Sequence, residues 1–135
     1  MNDTTEPSIF TKIINGEIPC HKVYEDNKTI AFMDICPVQT GQVVIATKVQ
    51  VADFLDLTPE DSEALWKTIN TVGAKLRAVF PSKKRIGLMI EGLDVDHAHA
   101  KLFPVDTGEE YRADPPTSEP DHEALAALAK KLMLY

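Results

Sequence analysis

Val95-Asp96-His97-Ala98-His99-Ala100-Lys101-Leu102-Phe103-Pro104 holds two of the chain's four histidines one residue apart, inside a run of small and apolar residues. Successive side chains of a strand point to opposite faces. His97, His99 and Lys101 are therefore expected on one side, with Ala98, Ala100 and Leu102 on the other. Two imidazoles and an ammonium on one face can serve a phosphate, a metal or nucleophilic chemistry. A lone strand histidine is more often a hydrogen-bonded structural residue, but three such groups would waste a core surface. The metal reading has the least support: no cysteine or further histidine falls at ligand spacing, and Lys101 would repel a cation. By the same alternation, Asp94 and Asp96 are expected on the face away from His97.

Around this segment the chain reads as one globular unit. Its 135 residues suit a single core, and 44% apolar with 26% charged residues is ordinary for a soluble domain. The formal net charge of -7 argues against general nucleic-acid binding, which needs a basic surface, but leaves room for a mononucleotide in a locally positive pocket. No apolar stretch is long enough to cross a membrane, and Met1-Asn2-Asp3-Thr4-Thr5-Glu6 lacks the features of a signal peptide. Cys20 and Cys36 are too few and too far apart for a zinc knuckle or redox pair. They are expected to be buried free thiols in a reducing cytoplasm.

Working outward, Ile9 to Gly16 reads as a short helix, with Phe10, Ile13 and Ile14 at helical spacing and Gly16 at the C-terminal cap. His21 to Glu25 and Thr29 to Asp34 read as a hairpin around the turn Asp26-Asn27-Lys28, and Gln42 to Ala46 as a third strand. The clearest helix starts with Thr58 as cap and Pro59 in the first turn. It carries the stripe Leu65, Ile69, Val72 and Leu76, and stops at Pro81. Arg85 to Glu91 reads as a fourth strand and the histidine segment as a fifth. Asp106 to Pro120, rich in acids and prolines, reads as an irregular excursion. From about Asp121 the stripe Leu125, Leu128, Leu132 predicts a terminal helix, docked on its own domain or on a partner subunit.

Gly92 to Pro104 resembles the signature of the histidine-triad (HIT) family, His-x-His-x-His followed by two apolar residues and often proline. Ser8 to Pro19 is similar to that family's opening, Ala31 to Pro37 to its next block, and Gly41 to Lys48 to its following strand. The resemblance implies an α+β, HIT-like fold: an antiparallel sheet of about five strands, one long helix and a C-terminal helix. It divides the chain into a polar tail at 1–7, a HIT-like domain at 8–105 and an extension at 106–135. It also implies homodimers whose sheets join.

The same resemblance implies a nucleotide hydrolase or nucleotidyl transferase. Its substrate would be a purine nucleotide or nucleotide conjugate, a nucleoside phosphoramidate or a dinucleoside polyphosphate, and no cofactor or metal is implied. His99 would attack the α-phosphorus to give a nucleotidyl-histidine, His97 would orient it, and Lys101 would take the third triad position. Asp34 would accept hydrogen bonds from the ribose, with Phe10, Ile13, Phe32 and Ile35 around the base. Each also has a reading as plain core, and for Ile13 and Phe32 core and pocket weigh equally.

Several positions depart from the family pattern. Lys101 stands for the third histidine; it offers protons and charge but does not titrate as histidine does. Val49 or Gln50 stands for an upstream histidine, Leu93 and Asp94 for Gln and Ser or Thr, and Ile90 for Asn. Ser8 and Thr11 stand where some relatives have a zinc-binding cysteine pair. An enzyme using His99 is the leading expectation. A nucleotide-binding protein with weak or no turnover is the alternative, and a pure interaction protein leaves His97 and His99 unexplained.

Overall fold

The computed structural model describes residues 6–134, so most of the polar N-terminal tail lies outside the described residues. Five strands form one antiparallel sheet: β1 (Lys22–Glu25), β2 (Thr29–Met33), β3 (Val43–Thr47), β4 (Arg85–Met89) and β5 (His99–Val105), in spatial order β1-β2-β3-β5-β4. With helices α1 (Ile9–Ile14), α2 (Pro59–Val79), α3 (Gly108–Tyr111) and α4 (His122–Leu132), the fold is α+β as expected.

Local chemistry accounts for the boundaries. The Ser8 hydroxyl accepts the Thr11 N–H and opens α1. At its end Gly16 has φ of 80°, and the N–H groups of Gly16 and Glu17 return to the carbonyls of Ile13 and Lys12. That pair of bonds is a Schellman closure, which needs the left-handed residue that glycine supplies. The Asp26 carboxylate accepts the N–H groups of Lys28 and Thr29 and fixes the β1–β2 turn. Thr58 caps α2 and Asp121 caps α4, each accepting an N–H three residues on.

Each central strand splits its side chains between two apolar clusters. Ala31, Met33, Val43, Ile45, Ala100 and Leu102 pack under Leu65, Ile69, Val72 and Leu76 of α2. Leu125, Ala129 and Leu132 of α4 join the same cluster, so the terminal stripe docks on its own chain. Ile30, Phe32, Val44 and Ala46 face the other way and meet Phe10 of α1. Burial on both faces explains why β2 and β3 read as nearly unbroken β-branched and apolar runs. The rings of His97 and His99 lie on this face too, against Phe10 of α1.

Four expectations need correction. The histidine segment is not one regular strand: β5 begins at His99, and residues 93–97 form a bend after Gly92 (φ 64°). The stretch after Asp106 is not wholly irregular, because Thr107 caps the single turn α3. Its Tyr111 stacks on Phe103 and donates to the Leu88 carbonyl, lying so close to Gly87 that an added Cβ would sit 2.8 Å from the ring. Cys36 is exposed and Cys20 only half-buried, since both lie at the rim of the α1-covered face and not in the core. Strands β3 and β4 also shift by one or two residues, to Thr47 and Met89, as ladder pairing and not composition sets their ends.

Candidate active site

His97 and His99 are buried, at 0% and 3% exposure, and both rings meet the edge of Phe10, with centroids at 5.7 and 4.8 Å. His97 Nε2 lies 2.7 Å from the Thr47 carbonyl, which only accepts, so that nitrogen carries the proton. Its Nδ1 is then the acceptor for the Ser8 hydroxyl at 2.7 Å. The Thr11 hydroxyl is committed to Gln50 Oε1 at 2.6 Å, and Gln50 Oε1 also accepts the Ser8 N–H. Ser8, Thr11, Gln50 and Thr47 thus lock the ring of His97 in one tautomer. Burial is the largest influence on His97 and holds its pKa below the ordinary imidazole value.

The same logic fixes His99. Its Nδ1 lies 2.6 Å from the His97 carbonyl and must donate to it. Nε2 therefore carries the lone pair, and it makes no hydrogen bond among the described residues. Burial pushes the pKa of His99 down; the His97 carbonyl opposes this, Lys101 adds to it, and Glu91 and Asp34 pull upward. A neutral imidazole with a free Nε2 is the nucleophilic form.

His99 borders a cavity of about 260 Å³ whose walls include Phe10, Ile13, Phe32, Ile35, Asp34 and Lys101. Of the residues expected to act in catalysis or to hold the nucleotide, all but His97 line this one cavity. Ile35 is 47% exposed and Phe32 4%, so Ile35 stands at the rim while Phe32 doubles as core. The Asp34 carboxylate accepts the Cys36 N–H through one oxygen and the Gln42 amide through the other, both at 2.8 Å. Gln42, 1% exposed, in turn accepts the Val38 N–H.

Lys101 reaches the Glu91 carboxylate at 3.2 Å, and the other Glu91 oxygen accepts the Leu93 N–H. Asp94 lines the same cavity as Lys101 and His99. This corrects the expectation that alternation turns it away: the bend at 93–97 breaks the period of two before His99. Gln42 and Glu91 escaped the sequence reading. Nothing in the spacing marks a buried glutamine at a strand entry, whereas Glu91 at the end of an apolar run opposite Lys101 could have been paired by strand register (Met89↔Lys101).

A family model for the HIT domain matches residues 15–108. The chain belongs to the HIT family. Among its relatives, adenosine 5'-monophosphoramidase hnt1 of Schizosaccharomyces pombe is 31% identical over 107 residues, spanning 76% of this chain and 77% of that one. The purine nucleoside phosphoramidase of Escherichia coli is 38% identical over 71 residues, 53% of this chain and 59% of that one. A solved structure of a Hit-like protein involved in cell-cycle regulation from Bartonella henselae superposes with a TM-score of 0.83 at 28% identity, covering 97% of both chains. A Zn-bound histidine triad protein from Mycobacterium smegmatis shares the fold at 22% identity. In this chain the cluster around His97 does not fit zinc: the hydroxyls of Ser8 and Thr11 and the amide of Gln50 are poor ligands beside the imidazole, and they bond to one another. Among the described residues no helix is long and apolar enough to cross a membrane.

Proposed function

We propose that this HIT protein hydrolyses a nucleotide conjugate at its α-phosphorus, with a nucleoside phosphoramidate as substrate and His99 as nucleophile. The observation that carries this reading is the His99 Nδ1–His97 carbonyl bond, which leaves Nε2 unprotonated toward the cavity. Relatives named as phosphoramidases support it at the level of reaction class.

In the first step His99 Nε2 bonds to phosphorus while the phosphorus–nitrogen bond breaks, and the departing amine gains a proton. The imidazole becomes a cation on nucleotidylation, and the His97 carbonyl stabilises that charge through Nδ1–H. Water then displaces the imidazole, releasing the nucleoside monophosphate and restoring His99. Lys101 supplies positive charge to the phosphoryl oxygens or a proton to the amine. Asp34, oriented by Cys36 N–H and Gln42, accepts the ribose hydroxyls, and Phe10, Ile13, Phe32 and Ile35 enclose the base. This polar-poor wall with few oriented groups suits one planar ring.

The test is hydrolysis of adenosine 5'-phosphoramidate by the native chain and by His99→Ala, with mass spectrometry of the acid-quenched native protein for a nucleotidyl adduct. A loss of at least about a thousandfold is expected on removing the nucleophile. Equal rates in the two proteins would overturn the reading. Lys101 is already engaged with Glu91, which favours the second reading: a nucleotide-binding protein without turnover. That reading predicts AMP binding with no hydrolysis by either protein.

The chain is further proposed to work as a homodimer in the cytoplasm. Strand β4 is an outer strand of the sheet, and Trp66, 42% exposed, stands over the groove between α2 and β4. An outer strand beside an exposed tryptophan suits the docking of a second sheet.

A further inference from the structure

Resting on the hydrolase reading above, the charge arrangement at the open end of the His99 cavity identifies what the leaving group is. On that reading the apolar walls and Asp34 take the nucleoside, which leaves Lys101 and Asp94, lining the same cavity, for the group departing from phosphorus. Among the described residues Lys101 is the one lysine or arginine in the lining, and Glu91 already balances its charge.

Asp94 differs from its acidic neighbours. The Asp34 carboxylate spends both oxygens on Cys36 and Gln42, and Glu91 spends both on Leu93 and Lys101. The Asp94 carboxylate has no hydrogen bond or ion pair among the described residues. It also stands on a divide: Ile9, Asp94 and Val95 line both the His99 cavity and an adjoining hollow of about 410 Å³. That hollow adds Glu6 and Asp96 to Asp94, and among the described residues no lysine or arginine lines it. A leaving group long enough to pass Asp94 enters a field of carboxylates.

We propose that Asp94 sets the leaving-group specificity of this site, admitting neutral and, preferentially, cationic amines while turning away oligophosphates. A second or third phosphate beyond the α-phosphorus would meet an unpaired carboxylate where phosphate-binding sites place donors or cations. An amine bearing a second, protonated nitrogen would instead find its counter-charge at Asp94. The site is thereby restricted to one of the two substrate classes the family resemblance implies.

The test compares adenosine 5'-phosphoramidates of propylamine and of 1,3-diaminopropane, with diadenosine tetraphosphate as the third substrate, on the native chain and Asp94→Asn. The native protein is expected to favour the diaminopropane conjugate by roughly fivefold in kcat/KM, the scale of one exposed charge pair. Asp94→Asn should bring that ratio toward one and raise turnover of the tetraphosphate, and added salt should narrow the native preference. The same ratio in both proteins overturns the proposal. Binding of the non-hydrolysed propyl and 3-aminopropyl esters of AMP, by calorimetry, is measured in parallel. If the native chain turns over nothing, the hydrolase reading falls, and the ratio of these two Kd values still decides the role of Asp94.

Discussion

His97 and His99 have their rings enclosed and each held by a backbone carbonyl, whereas Lys101, two residues along the same strand face, is part-exposed and meets only a carboxylate. The first pair is fixed by groups that cannot move without unfolding β3 or the 93–97 bend. The second rests on an ion pair between two flexible side chains. Within one strand, then, the nucleophile is built into the fold while the charge at the mouth is laid on top of it. Substitutions in the two regions should separate accordingly, the first damaging stability and the second damaging selectivity.

The largest stability effect is expected at His97. His97→Ala removes a fully buried ring, takes the Nε2–H donor from the Thr47 carbonyl and takes the Nδ1 acceptor from the Ser8 hydroxyl. A cavity plus buried unpaired groups should cost about 3 kcal/mol or more, read by urea unfolding. Lys101→Ala should cost under about 1 kcal/mol, as expected for a part-exposed ion pair. Equal losses would abolish the distinction between the two regions. Ser8→Ala falls between them. It removes both the cap acceptor of α1 and the donor to His97, for about 1–2 kcal/mol, with a correspondingly lower Tm.

Acid should expose the same contrast. Burial lowers the pKa of both histidines below the usual imidazole value, so over the window below about 6.5 the unfolded chain binds protons that the folded chain refuses. Stability therefore falls with falling pH in that window, until the folded imidazoles themselves protonate. The slope of unfolding free energy against pH measures it, and His97→Ala should flatten the slope. Lys101→Ala should reduce it only slightly, because burial, not the Lys101 charge, is the largest influence on His99. A native slope of zero between pH 5 and 6.5 would show that the two rings titrate as in the unfolded chain.

Much of this was legible in the sequence because the signals were periodic or terminal. Period two placed His99 and Lys101 opposite Ala100 and Leu102, and Thr58 with Pro59 announced the long helix. Asp34 and the four apolar residues followed from resemblance, not from pattern. The failures lie where the period breaks. Asp94 was assigned to the wrong face because nothing before Gly92 signals that its positive φ bends the chain away from strand geometry. Gln42 and Gln50, which orient Asp34 and tie Ser8 and Thr11, were invisible as supports: a glutamine's partners depend on which distant elements fold beside it, Gln50 reaching back about forty residues.

The smallest effect on stability, and the most informative on mechanism, is expected for Lys101→His. An ammonium gives up a proton reluctantly at neutral pH, while an imidazole exchanges it readily. If the leaving amine must be protonated as the phosphorus–nitrogen bond breaks, histidine at this position should raise kcat severalfold and add a descending alkaline limb to the pH–rate profile. The Glu91 contact can be kept by either cation, so folding should change little. A lower kcat would instead mean that a permanent charge on the phosphoryl oxygens matters more than proton transfer. The amine would then leave by taking its proton from water, and Lys101 would be an adaptation to the Asp94 side of the site and not a degraded triad residue.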